Sequence, residues 1–268
     1  MPKVEISDSQ IIDVTLDEPA DIQAFLLFGI HKCGSTLMNK VFMDICRHTN
    51  IPYVAISKAA FQEGIPASVW GKCESLNSIL MDGYCYGGFR SLSPFMRGND
   101  FVNQRKKILL VRDPRDAIVS AYFSFSKSHR KPGGGAALKK FLEMREKIQE
   151  LDIESYAIEH SAQVKRAFNN YHKHFGQDPL LKVYRYEDII FNKESWITDM
   201  LDFLDISLEA EQVTAIAKKH DIVPGAENSD QHIRKVKPGD HREKLTSETI
   251  DKLNNSLSDI LERYGYEM

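Results

Sequence analysis

Residues 24–36 of the chain read AFLLFGIHKCGST, a short apolar run that leads into a glycine-containing turn. The run from Ala24 to Ile30 is typical of a buried strand, because it is apolar throughout and too short for a buried helix. Apolar residues then recur at helical spacing, at Leu37, Met38, Val41, Phe42 and Ile45. The stretch therefore predicts a strand, a turn and a helix in that order.

The turn in this stretch has the spacing of a P-loop, GxxxxGK followed by Ser or Thr, with one change. Gly29 and Gly34 fill the glycine positions, Ser35 stands where the lysine is expected, and Lys32 lies three residues earlier. The N–H groups and the positive dipole end of the following helix point to one spot, where Ser35 and Thr36 add hydroxyl donors. The turn predicts a site for a phosphate-like anion; the alternative is that these residues only cap the helix.

A second strand and turn begin in residues 108–122, which read ILLVRDPRDAIVSAY. Arg112 follows the apolar run directly, where a guanidinium can bind a phosphate through paired hydrogen bonds. Ser120 lies two turns into the following helix and could reach the same anion. The alternative for Arg112 is an ion pair with Asp113 or Asp116. Two such turns on one sheet favour a ligand with two separated anionic groups.

The remaining periodicity indicates an α/β fold, with a central parallel sheet flanked by helices in the manner of P-loop NTPases. Ligands of such sheets bind at the carboxyl ends of the strands. We expect a single domain over residues 1–268. Further strands are predicted at Tyr53–Ile56 and Leu181–Tyr184, and further helices at 137–150, 154–175, 194–206 and 247–264.

Composition excludes several classes of function. The net charge is −3 and the pI about 6.3, so no global basic field would hold a nucleic acid or an anionic membrane. The N-terminal residues have no apolar core of signal-peptide length, and no run is long enough to span a bilayer. The four cysteines form no CxxC pair, which favours reduced thiols over a zinc site. We therefore expect a cytoplasmic protein without a metal ion.

The two turns together resemble the motifs of the sulfotransferases that depend on 3′-phosphoadenosine 5′-phosphosulfate (PAPS). The first turn is similar to the family's 5′-phosphosulfate loop, and Arg112 with Ser120, eight residues apart, is similar to its 3′-phosphate motif. The resemblance implies that PAPS is the cofactor and that Arg112 and Ser120 bind its 3′-phosphate. It also implies which residues form the phosphosulfate site: Lys32, Cys33, Gly34, Ser35 and Thr36.

Two further segments support this resemblance. Tyr186, in the stretch YRYED, is similar to the tyrosine that approaches the adenine in the family. Near the C-terminus, the stretch RKVKPGDH beginning at Arg234 resembles the segment that covers the 3′-phosphate, with Val236 and His241 replacing a glycine and a tryptophan. The resemblance therefore implies that Arg234 and Lys235 also bind the cofactor.

The histidine that acts as general base in the small-molecule branch of this family has no counterpart here. The comparable stretch, residues 90–94, reads RSLSP. We favour Glu63 as the catalytic base, because it follows the predicted strand Tyr53–Ile56, which would deliver it to the cleft. The other candidates are His48, Asp82 and His129.

Sulfuryl transfer by in-line displacement needs positioning and charge stabilisation more than it needs a metal ion. Lys32 is predicted to act catalytically by stabilising the charge that develops on the leaving bridging oxygen. The acceptor would be a hydroxyl or amine on a small molecule, a sugar or a carrier-bound intermediate. Two alternatives remain, a P-loop small-molecule kinase and a non-catalytic nucleotide-binding module.

Overall fold

The structure, a computed structural model, describes residues 3–7, 10–14, 16–222 and 235–268. The strands are β1 (Lys3–Ser7), β2 (Gln10–Asp13), β3 (Phe25–Gly29), β4 (Tyr53–Val54), β5 (Cys85–Phe89), β6 (Lys106–Val111) and β7 (Leu181–Arg185). The α-helices are α1 (Ser35–Thr49), α2 (Ile56–Gln62), α3 (Ala67–Trp70), α4 (Asp100–Asn103), α5 (Pro114–Phe123), α6 (Gly135–Gln149), α7 (Ile153–Phe175), α8 (Tyr186–Ile189), α9 (Lys193–Leu204), α10 (Ala210–Lys219), α11 (Asp240–Lys244) and α12 (Ser247–Tyr264). Short 3₁₀ turns span Glu74–Ile79 and Pro94–Met96, and a π-helical turn, Ser124–Ser128, extends α5.

Five of these strands form one sheet in the order β4-β5-β3-β6-β7, and every neighbouring pair in it is parallel. The strand of the first quoted stretch, β3, lies at the centre and is buried along its whole length. A separate antiparallel pair is formed by β1 and β2. The parallel sheet predicted from the sequence is confirmed.

Helices cover both faces of the sheet because alternate residues of β3 point to opposite sides. Leu26 and Phe28 belong to a core cluster shared with residues of α5, α7 and α12. Phe25 and Leu27 belong to a second cluster on the other face, with residues of α1, α9 and α10. An apolar run buried on both faces is what a central parallel strand requires.

The main difference from the predicted elements concerns β5, which the sequence did not suggest. This strand reads CYGGF, and its two glycines weaken the apolar strand pattern. The predicted strand Tyr53–Ile56 is also shorter than expected, since β4 ends at Val54 and α2 begins at Ile56. The predicted helices agree with α6, α7, α9 and α12 to within about two residues at each end.

Within the described residues, none of the helices combines the length and the apolar character needed to cross a bilayer.

Candidate active site

A cleft lies where the strands of the parallel sheet end. Turns that follow β3, β5, β6 and β7 all contribute to its walls, together with the segment that precedes α11. The cleft brings together most of the residues that the sequence indicated, which come from four separate parts of the chain. These are Lys32, Gly34, Ser35, Thr36, Arg112, Ser120, Tyr186 and Lys235.

The turn after β3 presents an open helix N-terminus to this cleft. Gly34 is the N-cap of α1, and no side chain caps the helix. The first N–H groups of a helix have no acceptor within it, so they are available to a ligand. Lys32 has a φ of 67°, in the left-handed region that residues other than glycine seldom adopt. The turn therefore offers open N–H donors, as an anion site requires, and its strained residue is of the kind that clusters at functional sites.

Glycine is required at position 34 for two reasons. Its φ is +92°, which disfavours any side chain. A Cβ atom there would also lie 2.8 Å from Cδ2 of Tyr186 and 3.2 Å from Cδ2 of Leu110. The ring of Tyr186 thus packs directly against the loop backbone and joins the turn after β7 to the turn after β3.

Arg112 lies between these two turns and is almost fully buried. Its guanidinium carbon is 4.7 Å from the centre of the Tyr186 ring, and one of its terminal nitrogens is 3.4 Å from Oδ2 of Asp116. Among the described residues, the Nε atom of Arg112 has no hydrogen-bond partner, although it is buried. A buried donor without a partner is costly, so this guanidinium fits an anionic ligand.

A buried carboxylate fixes the C-terminal segment beside Arg112. Oδ2 of Asp116 accepts a hydrogen bond from the N–H of Gly239 at 2.7 Å. Oδ1 lies 2.9 Å from the backbone nitrogen of His241 and 2.6 Å from Nδ1 of its ring. Burial alone would raise the pKa of Asp116, but the His241 hydrogen bonds and the charge of Arg112 hold it well below its usual value. His241 therefore has a defined partner, although it replaces the tryptophan expected from the family pattern.

Lys235 reaches the cleft from this fixed segment. Its ammonium group is 3.3 Å from Oδ1 of Asp240 and 2.5 Å from Oε2 of Glu243. Next to it, the carbonyl of Val236 accepts a hydrogen bond of 3.0 Å from the hydroxyl of Tyr186. The other basic residue predicted in this segment, Arg234, lies outside the described residues.

The cleft also contains residues that the sequence did not single out for binding the cofactor. His31 and Arg90 line it, together with Phe123, Ser124, Ser128 and His129. Burial by the surrounding protein, and then the charges of Arg90 and Lys32, lower the pKa of His31 to about 4. Its side chain is nevertheless exposed to solvent at the cleft surface. His31 is therefore a neutral imidazole at physiological pH.

Two of the sequence-predicted residues do not line the cleft. Glu63 is exposed just after α2, and the side chain of Cys33 is fully buried. The N–H of Cys33 donates to the carbonyl of Ile30 at 3.1 Å, so it is already used within the turn. The roles predicted for Glu63 and Cys33 remain predictions.

Of the other candidates for the base, only His129 lines the cleft. Asp82 forms a bidentate ion pair with Arg105, in which both nitrogen–oxygen distances are 2.7 Å. His48 is exposed near the end of α1. His129 lines the cleft, where its Nδ1 is 3.3 Å from Oγ of Ser124. The sequence does not identify His31, because the P-loop pattern leaves that position unspecified; its place next to Lys32 is the available signal.

The fold and the cleft define an α/β protein with an open helix N-terminus at the end of its central strand. The family model for the sulfotransferase domain matches residues 96–265, more than half of the chain. The chain therefore belongs to the sulfotransferase family, as the sequence motifs suggested, and is a sulfuryl-transferring enzyme.

Solved structures show the same fold. Mouse sulfotransferase SULT7A1 complexed with PAP, the 3′,5′-diphosphoadenosine product, is 17% identical with a TM-score of 0.57, covering 92% of this chain and 89% of that one. Retinol dehydratase in complex with retinol and PAP is also 17% identical, with a TM-score of 0.54 and coverage of 89% and 81%. A search of curated proteins finds no significant match.

Proposed function

We propose that this enzyme uses PAPS as its donor and transfers the sulfuryl group to a hydroxyl or amine acceptor. The observation that carries the proposal is the pairing, in one cleft, of the open α1 N-terminus with the partly unpartnered guanidinium of Arg112. A nucleotide with a 5′-phosphosulfate and a separate 3′-phosphate matches two such positions. PAP, the other product of this transfer, is bound in two of the similar structures.

The residue roles are those that the resemblance to the family implies. The turn after β3 would hold the 5′-phosphosulfate, through Lys32, Gly34, Ser35 and Thr36. The turn after β6 would hold the 3′-phosphate through Arg112 and Ser120, together with the C-terminal residues Lys235 and Arg234. Tyr186, which follows β7, would lie beside the adenosine.

In the transfer, the acceptor oxygen forms a bond to sulfur while the bond from sulfur to the bridging oxygen of the donor breaks. PAP leaves with the electron pair of that bond, and the acceptor gives up one proton. Charge grows on the bridging oxygen, where Lys32 and the N–H groups of the turn stabilise it. The proton requires a base at the end of the cleft away from Arg112.

We propose His31 as that base, in preference to Glu63. His31 lines the cleft next to Lys32, whereas Glu63 does not line it. Burial is the main cause of the lowered pKa of His31, and the charges of Arg90 and Lys32 add to it. The phosphosulfate of the donor would neutralise Lys32, so donor binding should remove that part of the electrostatic effect and raise the basicity of His31.

Replacement of His31 tests this assignment. We expect His31→Gln to lower kcat by about 10²–10⁴ with little change in PAP affinity, and Glu63→Gln to retain near-normal turnover. The neutral form of His31 is the active base, so the wild-type rate should fall as the pH drops through its pKa. For kcat/KM of the donor, which reports the free enzyme, that fall should centre near pH 4. For kcat, which reports the complex with both substrates bound, the fall should lie at higher pH. The opposite ranking of the two variants would assign the base to Glu63.

Ligand preference separates the proposed function from its nearest alternative, a P-loop kinase. We expect PAP to raise Tm more than ATP with magnesium does, since only PAP offers a 3′-phosphate to Arg112. A ligand at ~100 times its Kd adds about 2.7 kcal/mol to the free energy of unfolding. A larger shift with ATP and magnesium would contradict the sulfotransferase proposal, and PAP binding without transfer would favour a non-catalytic module.

The single domain over residues 1–268 and the cytoplasmic location also remain proposals, based on the continuous alternation of elements and on the composition.

A further inference from the structure

In the proposed function the acceptor binds on the side of the cleft away from the 3′-phosphate, and the strand order assigns that side to β5. The strand order places β5 on one side of β3 and places β6 and β7 on the other. The residues proposed to hold the 3′-phosphate and the adenosine follow β6 and β7. Arg90 is the first residue after β5, so it lines the cleft on the side away from them.

Arg90 is half-buried and lacks a partner of opposite charge in the part of the chain that the structure describes. Among the described residues it forms neither an ion pair nor a hydrogen bond, and no carboxylate lines the cleft. Burial lowers the pKa of its guanidinium, and only the electrostatic effect of Tyr53 opposes this. A desolvated cation is costly unless an anion compensates it, so this position is suited to a negatively charged ligand.

Hydrogen bonds on both sides of Arg90 fix the backbone that carries it. The N–H of Gly88 donates to Oδ1 of Asn39 at 3.1 Å, and the carbonyl of Gly88 accepts from the hydroxyl of Ser57 at 2.7 Å. Two residues after Arg90, the carbonyl of Leu92 accepts from Arg97 at 3.1 Å and from Asn170 at 3.2 Å. The cation is thus presented by an ordered turn, which reduces the entropy lost on binding.

The anionic groups of the donor already have other partners. In the proposed function, Lys32 and the α1 N-terminus bind the phosphosulfate, and Arg112 with Lys235 binds the 3′-phosphate. Arg90 is left over, next to His31, the proposed base. We propose that Arg90 binds an anionic group, a carboxylate or a phosphate, on the acceptor, so that the enzyme acts on anionic hydroxyl compounds. This inference rests on the proposed function.

Binding to the PAP-saturated protein tests the inference without knowledge of the natural acceptor. The probes are phenols that differ in one substituent: 4-hydroxyphenylacetate, 4-hydroxybenzylphosphonate, the neutral 2-(4-hydroxyphenyl)ethanol and the cationic 2-(4-hydroxyphenyl)ethylamine. Phe123 and His129 also line the cleft, which suits an aromatic probe. In calorimetric titrations we expect an anionic probe to bind about tenfold or more tightly than the neutral one, as a charged hydrogen bond allows. The better of the two anions identifies the group as a carboxylate or a phosphate.

Variants at Arg90 show whether this residue binds the anionic group of the acceptor or affects the binding of all ligands. Arg90→Gln should abolish the preference for the anion and leave PAP affinity within about twofold, while Arg90→Lys should retain part of it. Arg166→Gln, which removes the same charge at an exposed position of α7, should change neither. Wild-type protein that fails to bind PAP would contradict the proposed function itself. With PAP bound, equal binding of all probes, no binding of either anion, or an equal loss for all probes in Arg90→Gln would overturn the inference.

Discussion

Replacement of Lys32 by methionine should lower the rate of sulfuryl transfer by about 10²–10³, the usual cost of removing one donor that stabilises developing charge. Methionine keeps the length and the apolar part of the side chain and removes only the charge. The effect should fall on kcat, because the stabilised charge exists mainly in the transition state. Single-turnover measurement of PAP formation, with any acceptor that the wild type uses, gives this rate directly.

PAP affinity provides the comparison for Lys32→Met. We expect the Kd for PAP to change by less than about tenfold, since the turn N–H groups and Arg112 remain in place. Lys58→Met, at an exposed position on α2, controls for the loss of one positive charge and should behave as the wild type. Turnover that survives in Lys32→Met, with PAP affinity lost instead, would make Lys32 a binding residue and not a catalytic one.

Replacement of Asp116 by asparagine should both destabilise the fold and weaken nucleotide binding. The carboxylate accepts hydrogen bonds from Gly239 and from His241 and lies beside Arg112. An amide NH₂ in place of one oxygen would face these donors and leave Arg112 without its counter-charge. Breaking a buried ion pair in this way costs about 3–5 kcal/mol, which urea unfolding would measure.

The same change should release the segment that carries Lys235. We therefore expect Asp116→Asn to weaken PAP binding more than AMP binding, because only PAP has the 3′-phosphate. Glu248→Gln, which breaks an exposed pair with Lys252 on α12, should leave both affinities unchanged. If PAP affinity in folded Asp116→Asn stayed within twofold of the wild type, Asp116 would have no role in positioning the nucleotide site.

Asp116 also affects how the free energy of unfolding depends on pH in the acid range. Because the folded-state pKa of Asp116 is depressed, its stabilising contribution is fully present above the unfolded pKa. It is lost as the pH falls through the folded value, so protonation of this group contributes to acid unfolding.

The centre of the fold could be predicted because local signals and tertiary structure agree there. β3 is a buried apolar run, and β6 contains one at residues 108–111. Each strand leads into a turn whose glycine, hydroxyl or arginine residues point to anion binding. β5 could not be predicted, since Gly87 and Gly88 give no strand signal. The structure explains Gly87: a Cβ atom there would lie 2.1 Å from the Tyr53 hydroxyl, so the close approach of that ring requires glycine.

The same distinction between local and tertiary signals applies to the residues of the site. Arg112 and Ser120 share one strand–helix junction, so spacing alone could relate them. The prediction for Glu63 depends on a strand over Tyr53–Ile56 that would lead into the cleft. In the structure α2 begins at Ile56, so Glu63 follows a helix instead of a strand. The importance of His31 and Arg90 depends on a charge interaction between residues of different turns, which no local pattern records.

Recognition of the 3′-phosphate is the most direct test of the central claim, that this cleft binds a 3′-phosphorylated donor nucleotide. Calorimetric titration of the wild type and of Arg112→Ala with PAP and with AMP measures it. We expect the wild type to bind PAP about ten- to a hundredfold more tightly than AMP, and Arg112→Ala to lose most of that difference. Equal affinity of the wild type for PAP and AMP would contradict the claim.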